Sequence, residues 1–234
     1  MKNHSTRVAV FTVLAIVALF FASIWIIDSL KSEERQPIGV SIIATDFLGY
    51  DFARAVADGQ AKISIIVKPD DELRVFEPSN QDKNLMKDAT LLIYTGSEFD
   101  NWVSDFTKES KPSQDNILNM SDYISDSLNE NVKLDVRESV WTNLSIAKQI
   151  VSAIAEKLSR LYPERTTFFR EKADLYNWQI EVINKQLKEY PEATNIFTEK
   201  PHISNKDFEA GKTYVDILRE NLLSKQNNVN TGTE

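Results

Sequence analysis

The chain has 234 residues, no cysteine, two histidines and a formal net charge of −8. The length suffices for one large domain or two small ones with a sizeable core, and a 42% hydrophobic, 26% charged composition is that of an ordinary globular protein. The missing cysteines exclude disulfides, thiolate metal sites, thiol nucleophiles and a lipid-modified cysteine, while the acidic charge argues against non-specific nucleic-acid binding, which needs a basic face.

Lys2 and Arg7 precede an unbroken apolar run, Val8 to Ile27, with Thr12 and Ser23 as mild interruptions. Twenty residues at about 1.5 Å each span roughly 30 Å, the hydrocarbon thickness of a bilayer. A cleaved signal peptide has a shorter apolar core and a small-x-small cleavage site. Here Ala22-Ser23 is followed by Ile24-Trp25-Ile26-Ile27, and Trp25 suits a membrane interface. The segment reads as an uncleaved signal anchor, with a cleaved peptide as the alternative. Lys2 and Arg7 have no acids beside them, so the positive-inside rule puts the rest of the chain outside the cytoplasm, on a single-pass anchor in the cell membrane.

Residues 1–36 are thus expected to be anchor and stalk, Pro37 closing the stalk. Three strand–helix units follow. The expected strands are Ile38–Ala44, Ile63–Val67 and Leu91–Thr95; the expected helices are Phe47–Ala57, Gln81–Ala89 and Phe99–Thr107. Alternation of this kind predicts a mostly parallel α/β sheet, and continuous Ile/Val/Leu strands predict one covered on both faces. Ser110–Asn131 is polar and loop-like, with a short strand possible at Val132–Val136. Two helices come next. In Leu144–Leu161 the residues Ala147, Ile150, Ile154, Leu158 and Leu161 share one face; in Thr166–Tyr190 the set Phe169, Ala173, Tyr176, Ile180, Ile183, Leu187 and Tyr190 recurs at helical spacing. Pro163 falls between them and Pro191 ends the second. A strand-like fragment at Asn195–Thr198, a helix at Tyr214–Leu223 and a polar tail complete the chain.

Between the second strand and its helix lies an acidic loop bounded by prolines, Pro69-Asp-Asp-Glu-Leu-Arg-Val-Phe-Glu-Pro78. Ligands of open α/β sheets sit beyond the carboxyl ends of strands, so this is where a ligand loop belongs. Asp70, Asp71 and Glu72 lack the spacing, central glycine and terminal glutamate of an EF-hand loop and read as surface turn acids. No usable histidine base, Gly-x-Ser-x-Gly elbow or phosphate-binding glycine loop is present, so the chain does not read as an enzyme. His4 lies before the anchor and His202 beside Pro201 in a polar stretch. Trp102 and Trp141 read as packing residues at helix starts.

The loop resembles the metal-site loop of zinc/manganese-type substrate-binding proteins of bacterial ABC importers (solute-binding protein family 9), roughly Pro-Gly-x-Glu-Pro-His-x-Tyr-Glu-Pro. Further segments resemble that family in order: Asp51-Phe-Ala-Arg-Ala-Val-Ala57, Tyr94-Thr-Gly-Ser-Glu-Phe-Asp-Asn-Trp102, the long helix Thr166–Tyr190 and Thr213-Tyr-Val-Asp-Ile-Leu-Arg-Glu-Asn221. The resemblance implies the parallel-sheet N-terminal lobe of a cluster A-I-type substrate-binding protein over residues 37–162, and a connecting helix over 163–190. Residues 191–234 are too few for a full second lobe and imply a vestigial one.

The same resemblance places Arg74 at the family's first metal-binding histidine. It places Ser139, in Arg137-Glu-Ser-Val-Trp141, at the second, whose motif is Asp-Pro-His-x-Trp. Glu199 is an uncertain match for the late acidic ligand, and the third ligand's motif is not recognisable. Arginine is a permanent cation without a lone pair for a metal, and zinc prefers imidazole, thiolate and carboxylate donors. Arg74 has two readings: a solvated loop residue among acids, or a built-in cation that replaces the metal beside carboxylates such as Glu77 or Glu138. The expectation is therefore no bound cofactor, with the zinc or manganese of the family lost, and an ABC permease as partner. The alternative is a non-transporting, membrane-tethered interaction or adhesion module.

Overall fold

The computed structural model describes residues 39–71, 76–96, 100–124, 136–189 and 203–231. Residues Met1–Ile38 and Gly39–Glu234 form separate units. The first, with the expected anchor, lies outside the described residues; among the described helices none is long and apolar enough to cross a membrane.

Four strands, β1 (Val40–Ala44), β2 (Ala61–Ile65), β3 (Leu91–Tyr94) and β4 (Ile117–Asn119), pair in parallel in the order β2-β1-β3-β4. Helices α1 (Phe47–Ala57), α2 (Asn80–Lys87) and α3 (Asn101–Ser110) connect them in turn. The α/β class and the parallel sheet are as the apolar, uninterrupted strands predict. Side chains alternate across the sheet. Ile43 and Leu92 join Ile66, Val67, Met86 and Val103 in a cluster under α2 and α3. On the other face Ala44 and Ile93 touch α1 so closely that a Cβ on Gly49 would lie 3.3 and 3.0 Å from them. Glycine lets the helix settle onto the sheet.

α1 coincides with its predicted span because its boundaries are written locally. Asp46 Oδ1 accepts the Gly49 N–H at 3.0 Å as the N-cap. α2 starts at a capping box of Ser79 and Asp82. The apolar run Ile63–Val67 is offset from β2: pairing with β1 starts at Ala61, and Ile66 and Val67 are buried beyond the strand's end. β4 falls in the stretch read as loop. A three-residue edge strand offers too little periodicity to be seen in sequence. Val136 begins a helix, α4 (Val136–Thr142); residues 132–135 and the fragment Asn195–Thr198 lie outside the described residues.

α5 (Leu144–Leu161) and α6 (Thr166–Glu189) pack along each other, and both pack on α1. Ala147, Ile150, Ile154 and Leu158 of α5 are buried, as are Phe169, Ala173, Tyr176, Ile180, Ile183 and Leu187 of α6. Each Ile, Leu or Phe side chain so buried is worth about 1.5–3 kcal/mol of transfer free energy. A 3₁₀ turn at Pro163–Arg165 joins the two helices.

The described carboxyl-terminal residues return to the sheet lobe. α7 (Asn205–Glu209) starts at a capping box of Ser204 and Asp207, a Ser-x-x-Asp signal present in the sequence. α8 (Tyr214–Thr231) buries Tyr214, Val215, Leu218 and Leu222 and packs on α6. Phe208 packs against Tyr50 of α1 with the rings tilted and centroids 5.0 Å apart.

Candidate functional site

The carboxyl ends of β1 and β3 are closed by one carboxylate. Asp100 Oδ2 accepts from Thr95 N (2.8 Å), Thr95 Oγ1 (2.7 Å) and Thr45 Oγ1 (3.2 Å). Thr45, Thr95 and Asp100 are buried, so this acid ties two strand ends together. Next to them Gly96 has φ +71°, and a Cβ there would lie 2.6 Å from Ser121 Oγ. The chain leaves β3 where only glycine fits.

Beyond β2 the acidic loop is engaged in local and long-range bonds. Asp71 Oδ2 accepts the Lys68 N–H at 2.8 Å, closing the turn. Asp70 Oδ2 accepts the Asn205 N–H at 2.7 Å, bringing the loop to the start of α7. Glu72 and Arg74 lie outside the described residues. At the loop's far end Phe76 packs on Trp102, with centroids 5.7 Å apart.

The residue that the resemblance sets at the family's second ligand lies in α4. Ser139 is 1% exposed, and its Oγ has no hydrogen-bond partner among the described residues. Two residues on, Trp141 is fully buried with its indole N–H likewise unpartnered. The first residue of α8 lies against this segment: the Tyr214 ring sits 4.5 Å from that of Trp141, and its hydroxyl donates to the Val140 carbonyl at 2.8 Å. Ser139 thus offers a sealed neutral hydroxyl. Among the described residues no group of three or more His, Cys, Asp or Glu side chains is arranged to hold a metal ion. Glu199 and both histidines lie outside the described residues.

One buried carboxylate escaped the sequence reading. Asp51 of α1 is 1% exposed and accepts from the Tyr176 hydroxyl, from Tyr214 N at 2.9 Å and from Arg54 Nη2 at 2.8 Å. It joins α1, α6 and α8 at one point. Burial pushes its carboxyl above the usual range, and the bonds from Tyr176, Tyr214 and Arg54 only partly offset that. Arg54, half open to water, is held charged by the pair despite its own partial burial. Burial first and the Asp51 charge second raise the Tyr176 and Tyr214 hydroxyls well above the ordinary tyrosine value. Arg54 also donates to the Gly211 carbonyl at 3.3 Å, which fastens the approach to α8. An aspartate on the apolar face of α1 was the available signal, because buried acids need partners.

Known proteins supply a frame for these features. The family model described as zinc-uptake complex component A, periplasmic, matches residues 42–208. The zinc-binding protein AdcA of Streptococcus pyogenes is 22% identical over 193 residues, covering 74% of this chain and 37% of its own length. The zinc-binding lipoprotein AdcA of Streptococcus pneumoniae is 23% identical over 171 residues, covering 68% of this chain and 34% of its own. The chain thus spans about a third of the length of the curated relatives it matches. Among solved structures, the Zn(II)-bound ZnuA-like domain of Streptococcus pneumoniae AdcA aligns with TM-score 0.64 at 15% identity, covering 81% of this chain and 98% of that one. The periplasmic zinc-binding protein TroA of Treponema pallidum aligns with TM-score 0.56 at 17% identity, covering 66% and 57%. At these identities the structural likeness shows the fold.

Proposed function

Because the chain belongs to the family of periplasmic zinc-uptake component A, we propose that it is an extracytoplasmic component of zinc or manganese ABC import that keeps the family's first lobe and has given up the metal site. The ion is substrate in this family, held between two lobes and passed to a permease, as the resemblance implies. Here Arg74 and Ser139 stand at two ligand positions, and Glu199 is the remaining match.

The observation that carries the reading is Ser139, 1% exposed with an unpartnered hydroxyl. A ligand in an open cleft needs access and a lone pair strong enough to displace water from the ion; a sealed serine has neither. Residues 1–36 are proposed as membrane anchor and stalk, 37–162 as the lobe, 163–190 as the connecting helix and 191–234 as the remnant of the second lobe. The permease in the membrane is the proposed partner.

Calorimetric titration of the full-length chain with zinc and with manganese tests the reading. The expected result is no binding at micromolar or tighter concentrations, with the zinc-binding domain of a relative as positive control. A tight one-to-one isotherm would overturn it.

A further inference from the structure

The outer ridge of α6 is apolar where the helix should be solvated. Trp178 is 63% exposed, Leu175 52% and Val182 36%; spaced three and four apart, they form one stripe on the long helix. A groove flanks the stripe on each side. One of about 360 Å³ lies toward α1 beside Arg54, Lys172 and Gln179; one of about 730 Å³ lies toward α5 beside Gln149, Ser152 and Glu156. A ridge between two grooves is the shape that accepts another helix.

The charges around the stripe indicate which helix. Glu171 and Asp174 lie on its amino-terminal side and Lys185 on its carboxyl-terminal side, all exposed, and none has an ion-pair partner among the described residues. A second α6 laid in parallel would oppose Glu171 to Glu171, Asp174 to Asp174 and Lys185 to Lys185. Laid antiparallel and centred on Trp178, it sets Glu171 seven residues before the centre against Lys185 seven residues after it, and does so twice about the two-fold axis. Asp174 then faces Val182. The Glu171–Lys185 pairing is self-complementary, as an isologous interface requires.

We propose that this ridge is an interface between two copies of the chain, with their α6 helices antiparallel and crossing at Trp178. The two tryptophans lie at the centre, where aromatic side chains carry most of the binding energy. One helical ridge falls below the roughly 800 Å² per partner of a standard stable interface, so the dimer is reversible. This inference is independent of the metal site.

The cysteine-free sequence permits a clean test in the full-length chain, expressed in membranes. Asp174→Cys and Val182→Cys single variants are oxidised separately and together, and disulfide-linked dimers are read on a non-reducing gel. The expected result is a dimer in the co-expressed pair and none in either variant alone. Glu171→Lys should lower the cross-linked fraction of that pair about tenfold, and Glu171→Lys with Lys185→Glu should restore it, since the opposed charges are again unlike. Trp178→Asp should abolish it. Self-linking of Asp174→Cys alone would indicate parallel helices and overturn the proposal. So would linkage only to a different protein, or a double charge reversal that fails to rescue.

Discussion

Replacing Asp51 perturbs a point where α1, α6 and α8 meet, and the bonds it makes there set the direction of the effect and of its pH dependence. Asp51→Ala leaves the buried Tyr176 hydroxyl and Tyr214 N–H without an acceptor, at about 1–3 kcal/mol each. The expected loss is about 3–5 kcal/mol, that of a broken buried pair. Asp51→Asn keeps an acceptor oxygen but turns an amide toward Arg54, so its cost near neutral pH is about 1–2 kcal/mol, one charged hydrogen bond less the relief of burying a charge. Burial raises the folded-state carboxyl above 3.8. The folded chain therefore keeps that proton to higher pH than the unfolded chain does. The stability this contributes is complete below the unfolded value and is lost as pH rises through the folded one. Asparagine does not titrate, so Asp51→Asn should cost more near pH 3 than near pH 7.5, by up to about 1.4 kcal/mol for each unit of upward shift. Urea unfolding of the Gly39–Glu234 fragment, followed by tryptophan fluorescence at both pH values, measures the difference; Trp141 reports on α8 through its contact with Tyr214. A cost that is larger at neutral pH would mean that the Arg54 ion pair outweighs desolvation and would refute the reasoning.

Ser139→Ala deletes a buried hydroxyl with no partner and should leave urea stability unchanged or raise it by up to about 1 kcal/mol; a loss above that figure would reveal a bond to Oγ. Gly96→Ala forces a left-handed backbone on a residue with a Cβ and drives that Cβ into Asn119 and Ser121. A loss of about 2–4 kcal/mol is expected from strain and overpacking, and an unchanged unfolding midpoint would contradict it. Ser79→Ala removes one half of the α2 capping box and should cost about 1 kcal/mol. Hydrogen exchange should then quicken in α2 while β1 and β3 keep their protection.

Local signals were enough for most of the elements. The caps Asp46 and Asn143 and the breaker Pro163 stand beside helical periodicities strong enough to place α1 and α5 at their predicted spans. β4, α4 and α7 were missed because elements of three, seven and five residues carry almost no period, although Ser204-x-x-Asp207 marked α7. Of the candidate site, the sequence showed the donor chemistry: Arg74 and Ser139 stand where the resemblance puts histidines, and side-chain identity alone decides whether a lone pair is available. It could not show that Ser139 is sealed or that Asp51 is a three-way junction. Ser139 is sealed in the packing of α4, where α8 lies against its neighbours. Asp51 accepts from residues 125 and 163 positions away, and no local pattern encodes such pairings. Periodicity and caps act within a turn or two of the chain, so the sequence by itself determined the α/β class, three of the four parallel strands and the longer helices. Burial and hydrogen-bond partnership depend on which distant segments meet. Only the tertiary structure decided that α8 returns to pack on α6, that Asp51 accepts from its first residue, and that Leu175, Trp178 and Val182 of α6 are exposed.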